Sequence, residues 1–300
     1  MAVRSSGARL WRRLIMHPAQ ALIAHGVFHF ARLLPLDAAS ALGGWLGRAV
    51  GPRLAITRRA RRNLERAYPE MSAPGIETVI SGMWDNLGRT IFEFPNLDAI
   101  RFSGEDRRVE VVGGEHIDAL RDDGKPGIFF SAHMANWEIA ALSATHRGLP
   151  IHLIYRAPNN RWVERLFQHR WPGGGELIPK GAAGARRAIK LMGEGGHLGM
   201  LVDQKMNDGI PVPFFGRDAM TAPALAQFAI KYDCPVIPSR VERLGGARFR
   251  ITHLPPLPPP RSGDRHADIA AMMAEVNAIL EGWIRERPEQ WLWLHGRWPE

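Results

Sequence analysis

Gly127-Ile128-Phe129-Phe130-Ser131 runs without a break into Ala132-His133-Met134-Ala135-Asn136-Trp137-Glu138. The first five residues read as a buried strand, and the reactive side chains follow at its carboxyl end. Similar short apolar runs recur at Ile151–Tyr155, Leu198–Val202 and Val236–Val241, with Arg248–His253 as a neighbour of the last and Val109–Val112 ahead of them all. Between them His116–Arg121, Ile139–Thr145, Arg161–Arg170, Ala182–Met192 and Ala222–Tyr232 read as helices. Strands alternating with helices imply an α/β fold, a mixed central sheet flanked by helices. The proline-rich Leu254–Pro260 reads as a surface connection. After it, Ile269, Met272, Met273, Val276, Ile279, Leu280 and Trp283 recur at helical spacing as a packing stripe.

Upstream the rhythm differs. Residues 37–103 read as helical: one helix from a cap at Asp37 to Val50, closed by Gly51-Pro52, and another over about Ile76–Glu93. The chain thus divides into a helical region, 1–104, and an α/β core, 105–300, continuous with it. Arg4, Arg9, Arg12 and Arg13 precede an apolar stretch from Pro18 to Leu34 that His25, His29 and Arg32 interrupt. A membrane span needs about 20 apolar residues in a row, and this stretch falls short. On a helix those three polar residues share one face, which suits either the membrane interface or packing on the protein's own core. Without a cleavage site, the basic flank would hold this end on the cytoplasmic side.

Lysine plus arginine number 39 against 30 acids, a net charge of +9, and 45% of residues are hydrophobic. That composition belongs to a globular chain with a substantial core. The single cysteine, Cys234, excludes an intramolecular disulfide and any zinc site needing two cysteines. The basic surplus suits nucleic acid, anionic lipid or an acidic protein. The densest cluster, Arg58, Arg59, Arg61, Arg62 and Arg66, has no interleaved aromatics, and no nucleic-acid-binding signature appears, so nucleic acid drops out.

In α/β sheets reactive groups gather at the carboxyl ends of strands. His133 in the turn and Glu138 in the first turn of the next helix form a usable pair. Glu138 holds one imidazole nitrogen and leaves the other free as a base. By spacing alone such a pair is weak, and a lone histidine near an acid is more often structural. The chain carries no G-x-S-x-G and no H-E-x-x-H, so direct transfer to an acceptor is favoured over a covalent enzyme intermediate. Asn136 reads as a cap for the helix carrying Glu138. Asp203 ends a strand and therefore also faces the site.

Ser131 to Glu138 resembles the H-x4-[DE] box of the lysophospholipid-type acyltransferases, and within them the late acyltransferases of lipid A biosynthesis. Arg62-Asn63-Leu64 with Tyr68-Pro69-Glu70, Tyr155-Arg156-Ala157-Pro158-Asn159-Asn160, Asp203-Gln204-Lys205 with Val212-Pro213-Phe214-Phe215-Gly216, and Pro288 to His295 with Arg297 resemble further elements of that family, in order along nearly the whole chain. The departure is the short, broken apolar N-terminus. The resemblance implies an O-acyltransferase at the cytoplasmic face of a bacterial inner membrane. It would move a fatty acyl chain from the thioester of acyl carrier protein to a 3-hydroxyacyl hydroxyl of a phosphorylated glycolipid, without metal or other cofactor. His133 is then the base and Glu138 its orienting carboxylate. Arg156 is the first candidate for oxyanion or phosphate contact, and Lys180 and Lys205 are weaker phosphate candidates. Asp203 positions Arg156 or a substrate hydroxyl, or caps a turn. Asn136 and Gln204 complete the candidate binding set. Trp291 and Trp293 either shape an acyl groove or fill the core. Two readings compete: the same chemistry on another glycolipid or an aminolipid, and a non-catalytic basic protein on a membrane surface.

Overall fold

The computed structural model describes residues 15–168 and 174–298; Arg4, Arg9, Arg12, Arg13 and the end of the helix expected to reach Arg170 lie outside them. Gly127–Ser131 forms β2, every residue of it buried. Its parallel neighbours are β5 (His197–Leu201) and β8 (Val236–Gly245). β3 (Ile151–Tyr155) and β4 (Leu177–Pro179) extend the sheet beyond β5. On the other side β9 (Arg248–His253) and β1 (Val109–Val112) follow β8. Only β8–β9 is antiparallel in these seven strands, so the sheet is mixed but mostly parallel.

The alternation along β2 divides the core. Phe129 packs with Ile237, Ile151 and the helices α5 (Gly114–Asp122) and α6 (Ala140–Thr145) on one face. Ile128 and Phe130 turn to the other, against α8 (Ala182–Gly193), α9 (Ala224–Tyr232) and α10 (Arg265–Glu286). Each large side chain so buried contributes about 1.5–3 kcal/mol. The expected stripe of α10 is this contact: Met272, Met273, Val276 and Leu280 are all inaccessible or nearly so. Asp264 caps α10, accepting from the His266 and Ala267 amides. The segment read as a surface connection is tied to the sheet by a bridge between Leu257 and Val236.

A hairpin, β6 (Lys205–Phe214) and β7 (Arg217–Thr221), was not expected. Its turn puts Phe215 and Gly216 both at positive φ, the geometry that matches strand twist in a two-residue loop.

The N-terminal helices are α1 (His17–Leu33), α2 (Leu36–Val50), α3 (Thr57–Ala67), α4 (Ala73–Glu93) and, past β3, α7 (Arg161–Gln168). Asp37 does not cap α2: it lies inside the first turn and pairs with Arg108 at 2.7 and 2.9 Å. α2 and α4 touch backbone to backbone, since a Cβ on Gly88 would stand 2.0 Å from the Gly43 carbonyl oxygen. Ala60, Leu64, Ile80 and Met83 of this region join the same buried cluster as the sheet.

α1 packs on the protein through small apolar residues, Ala21, Val27 and Ala31. At the edge of that contact His25 Nε2 meets the Trp162 carbonyl at 3.3 Å, and exposed Arg32 pairs with Asp98 and donates to the Pro95 carbonyl. The larger apolar residues of α1, Leu22, Ile23 and Leu33, are 76, 67 and 83% exposed. Among the described residues no helix is long and apolar enough to cross a membrane.

Candidate active site

β2 and β5 are parallel and in register, Ser131 beside Leu201. Two residues past each strand end stand His133 and Asp203, side by side although 70 residues apart in sequence. Asp203 is inaccessible to solvent and collects three donors. His133 Nδ1 donates to Oδ1 at 2.7 Å, while the His133 amide (2.9 Å) and the Trp291 indole Nε1 (2.7 Å) donate to Oδ2. Burial alone would raise this carboxyl's pKa, but the His133 charge and the three hydrogen bonds hold it well below the usual carboxylate range. An ionised carboxylate only accepts, so the imidazole proton sits on Nδ1 and Nε2 keeps its lone pair.

Gln204 completes the ring of contacts. Its Nε2 lies 3.2 Å from His133 Nε2 and 3.1 Å from His295 Nε2, so the amide donates one hydrogen to each. Burial and the neighbouring His133 push the pKa of His295 down to about 4, which keeps it neutral near pH 7.

The loop carrying His133 is held under strain. Ala135 has φ +49°, a left-handed conformation that L residues seldom adopt. Its carbonyl accepts from Asn86 and Thr90 of α4 and its amide donates to the Gln290 carbonyl. The Leu292 amide donates to the His133 carbonyl at 3.1 Å. Thus α4 and the segment after α10 clamp the loop from two sides.

Two expectations are corrected here. No hydrogen bond joins Glu138 to His133 among the described residues; Asp203 orients the ring instead of positioning Arg156. Glu138 lines the same cavity, where the His133 charge and the neighbouring Trp137 side chain favour its ionised form. Burial raises its pKa above the ordinary glutamate value. Asn136 is not a side-chain cap either. It is inaccessible, and its Nδ2 donates to Glu93 Oε2 at 2.9 Å. Glu93 in turn pairs with buried Arg243, so Asn136 belongs to the scaffold beneath the loop.

A cavity of about 400 Å³ opens beside His133, within the range of small-ligand sites. Arg156, exposed, and Lys180, whose side chain is partly shielded from water, stand at its rim. It passes His133, Glu138, Gln204 and His295 and continues between the sheet and α6 to Phe129, Ala144 and Ile151. From Arg156 to Ile151 it follows the whole of β3, roughly 15 Å at strand rise. The alanines of α6 and Gly199 of β5 keep the interior open; a Cβ on Gly199 would stand 2.5 Å from Leu153. Lys180 has its pKa lowered, first by burial and then by Arg156, against the pull of Asp203. Lys205 does not line the cavity: it opens β6, paired with Thr221. Trp291 and Trp293 are core residues, the first propping Asp203 and the second donating to the Pro288 carbonyl.

A family model described as bacterial lipid A biosynthesis acyltransferase matches residues 9–300. The chain belongs to that family. It is 25% identical over 279 residues to a protein of Haemophilus influenzae named lipid A biosynthesis acyltransferase, covering 90% of this chain and 85% of that one. It is 26% identical over 305 residues to the lipid A biosynthesis lauroyltransferase of Escherichia coli K12, covering 94 and 93%. The chain is therefore an acyltransferase.

Sequence reasoning missed His295 and Trp291 as members of the acyltransferase site. In the sequence Trp291 reads as an acyl-groove or core residue, and His295 as part of the C-terminal signature with no role of its own. The signal for Asp203 as partner was available: two apolar runs, Gly127–Ser131 and Leu198–Val202, end just before a histidine and an aspartate. On adjacent parallel strands those residues must meet. Arg297, from the same segment, is fully buried and donates to the Met220 carbonyl, Thr221 and Asn277. It ties β7 to α10 and takes no part in the cavity.

Proposed function

We propose that the protein moves a fatty acyl chain from the thioester of acyl carrier protein directly to a 3-hydroxyacyl hydroxyl of a lipid A precursor. The observation that carries this reading is His133, with Nδ1 fixed by a buried carboxylate and Nε2 turned to a long, largely apolar cavity. The acceptor hydroxyl displaces the Gln204 amide and hydrogen-bonds Nε2. Nε2 takes its proton as the oxygen attacks the thioester carbonyl. The carbonyl becomes a tetrahedral oxyanion, which collapses with cleavage of the C–S bond, and the imidazolium returns the proton to the departing sulfur. Asp203 and the Glu138 charge stabilise the imidazolium formed in between. Arg156 is placed for the oxyanion or for the acceptor's phosphates, with Lys180 beside it. The acyl chain lies under α6, out of water.

The charge of +9 suits an acidic carrier protein and anionic headgroups. The exposed apolar residues of α1, together with the arginines of α3, support association with the cytoplasmic face of an inner membrane. Mass spectrometry of lipid A from a deletion strain and its complemented partner tests the acceptor. Loss of one acyl chain, restored by the wild-type gene and not by His133→Ala, is expected. Unchanged lipid A in the deletion strain, or full rescue by His133→Ala, overturns the reading.

A further inference from the structure

Away from His133 and the polar groups at the mouth, the cavity lining is apolar except for two serines. These, Ser131 and Ser239, stand on the neighbouring strands β2 and β8, one step beyond the pair Phe130–Pro238, and both line the cavity. The Ser131 side chain is 5% exposed, and its hydroxyl has no partner among the described residues. A buried hydroxyl without a partner is costly, so a ligand group that bonds it is favoured there.

The second hydroxyl defines what that group must be. Ser143 spends its only proton on the Ala140 carbonyl (2.7 Å), so its oxygen accepts from His253 Nε2 at 2.9 Å. His253 Nδ1 is then bare and accepts the Ser239 proton at 2.8 Å. His253 is 2% exposed, and burial pushes its pKa down to about 4, so this arrangement persists at neutral pH. Ser239 can therefore only accept from a ligand, whereas Ser131 still has a proton to give. Adjacent strands are about 4.8 Å apart, a spacing that one oxygen bridges with two ordinary hydrogen bonds. A carbonyl has no proton for Ser239. A secondary amide holds its donor and acceptor on different atoms, too far apart for the gap. A hydroxyl fits both partners at once.

Building on the acyltransfer reading above, we propose that Ser131 and Ser239 recognise a hydroxyl on the donor acyl chain, within the first few carbons from the thioester. His133 lies two residues, roughly 7 Å, along the strand direction from Ser131, which places the recognised carbon close to the reacting carbonyl. The enzyme then selects hydroxyacyl donors over plain ones of equal length.

Two measurements on the purified full chain test this. In transfer assays, 3-hydroxydodecanoyl and dodecanoyl thioesters of acyl carrier protein compete, and kcat/KM favours the hydroxylated donor about tenfold, the effect of one to two hydrogen bonds. Ser131→Ala brings the ratio close to one. In binding assays without acceptor, 3-hydroxydodecanoate displaces a fluorescent fatty acid at lower concentration than dodecanoate, and Ser131→Ala removes that advantage. Equal preference in wild type in both assays, or a preference that survives Ser131→Ala, overturns the inference. Selective binding without any transfer overturns the acyltransfer reading and leaves the hydroxyl site standing. Among the described residues the Ser131 hydroxyl bonds nothing, so its loss does not threaten folding; Ser239→Thr, which keeps the hydroxyl, retains the preference.

Discussion

Replacing Asp203 by Asn is the sharpest test of the site's wiring, because it changes one atom and reverses one proton. Three donors converge on Asp203: the His133 amide and the Trp291 indole on Oδ2, and His133 Nδ1 on Oδ1. The amide and the indole cannot become acceptors, so an asparagine must aim its oxygen at them and its NH2 at Nδ1. That side chain drives the imidazole proton from Nδ1 to Nε2, where the base should be. The variant also loses the charge that stabilises the imidazolium, worth about 4 kcal/mol for a unit pair 4 Å apart at an effective dielectric of 20. Turnover should fall by about 10³ or more. The assay is transfer of a labelled acyl group from acyl carrier protein, with circular dichroism to verify the fold. A folded Asp203→Asn enzyme within tenfold of wild type would refute the assignment of His133 as base. Acid unfolding gives a second readout. The Asp203 pKa is lower folded than unfolded, so its stabilisation is complete above the unfolded value of about 3.9 and fades as pH falls towards the folded one. The variant lacks that acid-sensitive component.

Other substitutions probe the surroundings. Glu138→Ala should lower turnover at least tenfold with the fold intact; because burial raises the Glu138 pKa, wild-type activity should also decline with acid at a pH above the ordinary glutamate range, and a pH–rate profile unchanged by the mutation would exclude the role. Arg156→Ala should raise KM for the phosphorylated acceptor or lower turnover without moving the melting temperature, since no carboxylate bonds it among the described residues; a variant that simply unfolds would make Arg156 structural. Gly88→Ala drives a methyl into the Gly43 carbonyl and should cost about 1–3 kcal/mol in denaturant unfolding, whereas wild-type stability would show that α2 and α4 can separate freely.

The sheet was legible because its central strands are short apolar runs with nothing else to become. β2, β3, β9 and β1 fall where the sequence puts them, and β5 is displaced by one residue. The β6–β7 hairpin was not legible: Pro211 and Pro213 argue against a strand, but here they lie in a two-stranded ribbon outside the main sheet. His133 was found because it stands two residues past the end of β2. Its partner was misassigned because Glu138 is near in sequence, whereas Asp203 is near only once β2 and β5 pair. The left-handed turn at Ala135 then carries the chain away from the ring, so proximity in sequence lost to strand register. α1 reads as amphipathic in either orientation, and only the structure shows Ala21, Val27 and Ala31 turned inward and Leu22, Ile23 and Leu33 left outside.

The C-terminal clasp has a consequence for timing. Trp291 follows Asp203 by 88 residues, and His295 follows Gln204 by 91. At a translation rate of 5–20 residues per second, the nascent chain carries its histidine and aspartate for roughly 4 to 18 s before the indole that fixes them is made. During that interval the sheet can form while the base remains unaimed. The arrangement delays competence until the tail has closed over the loop.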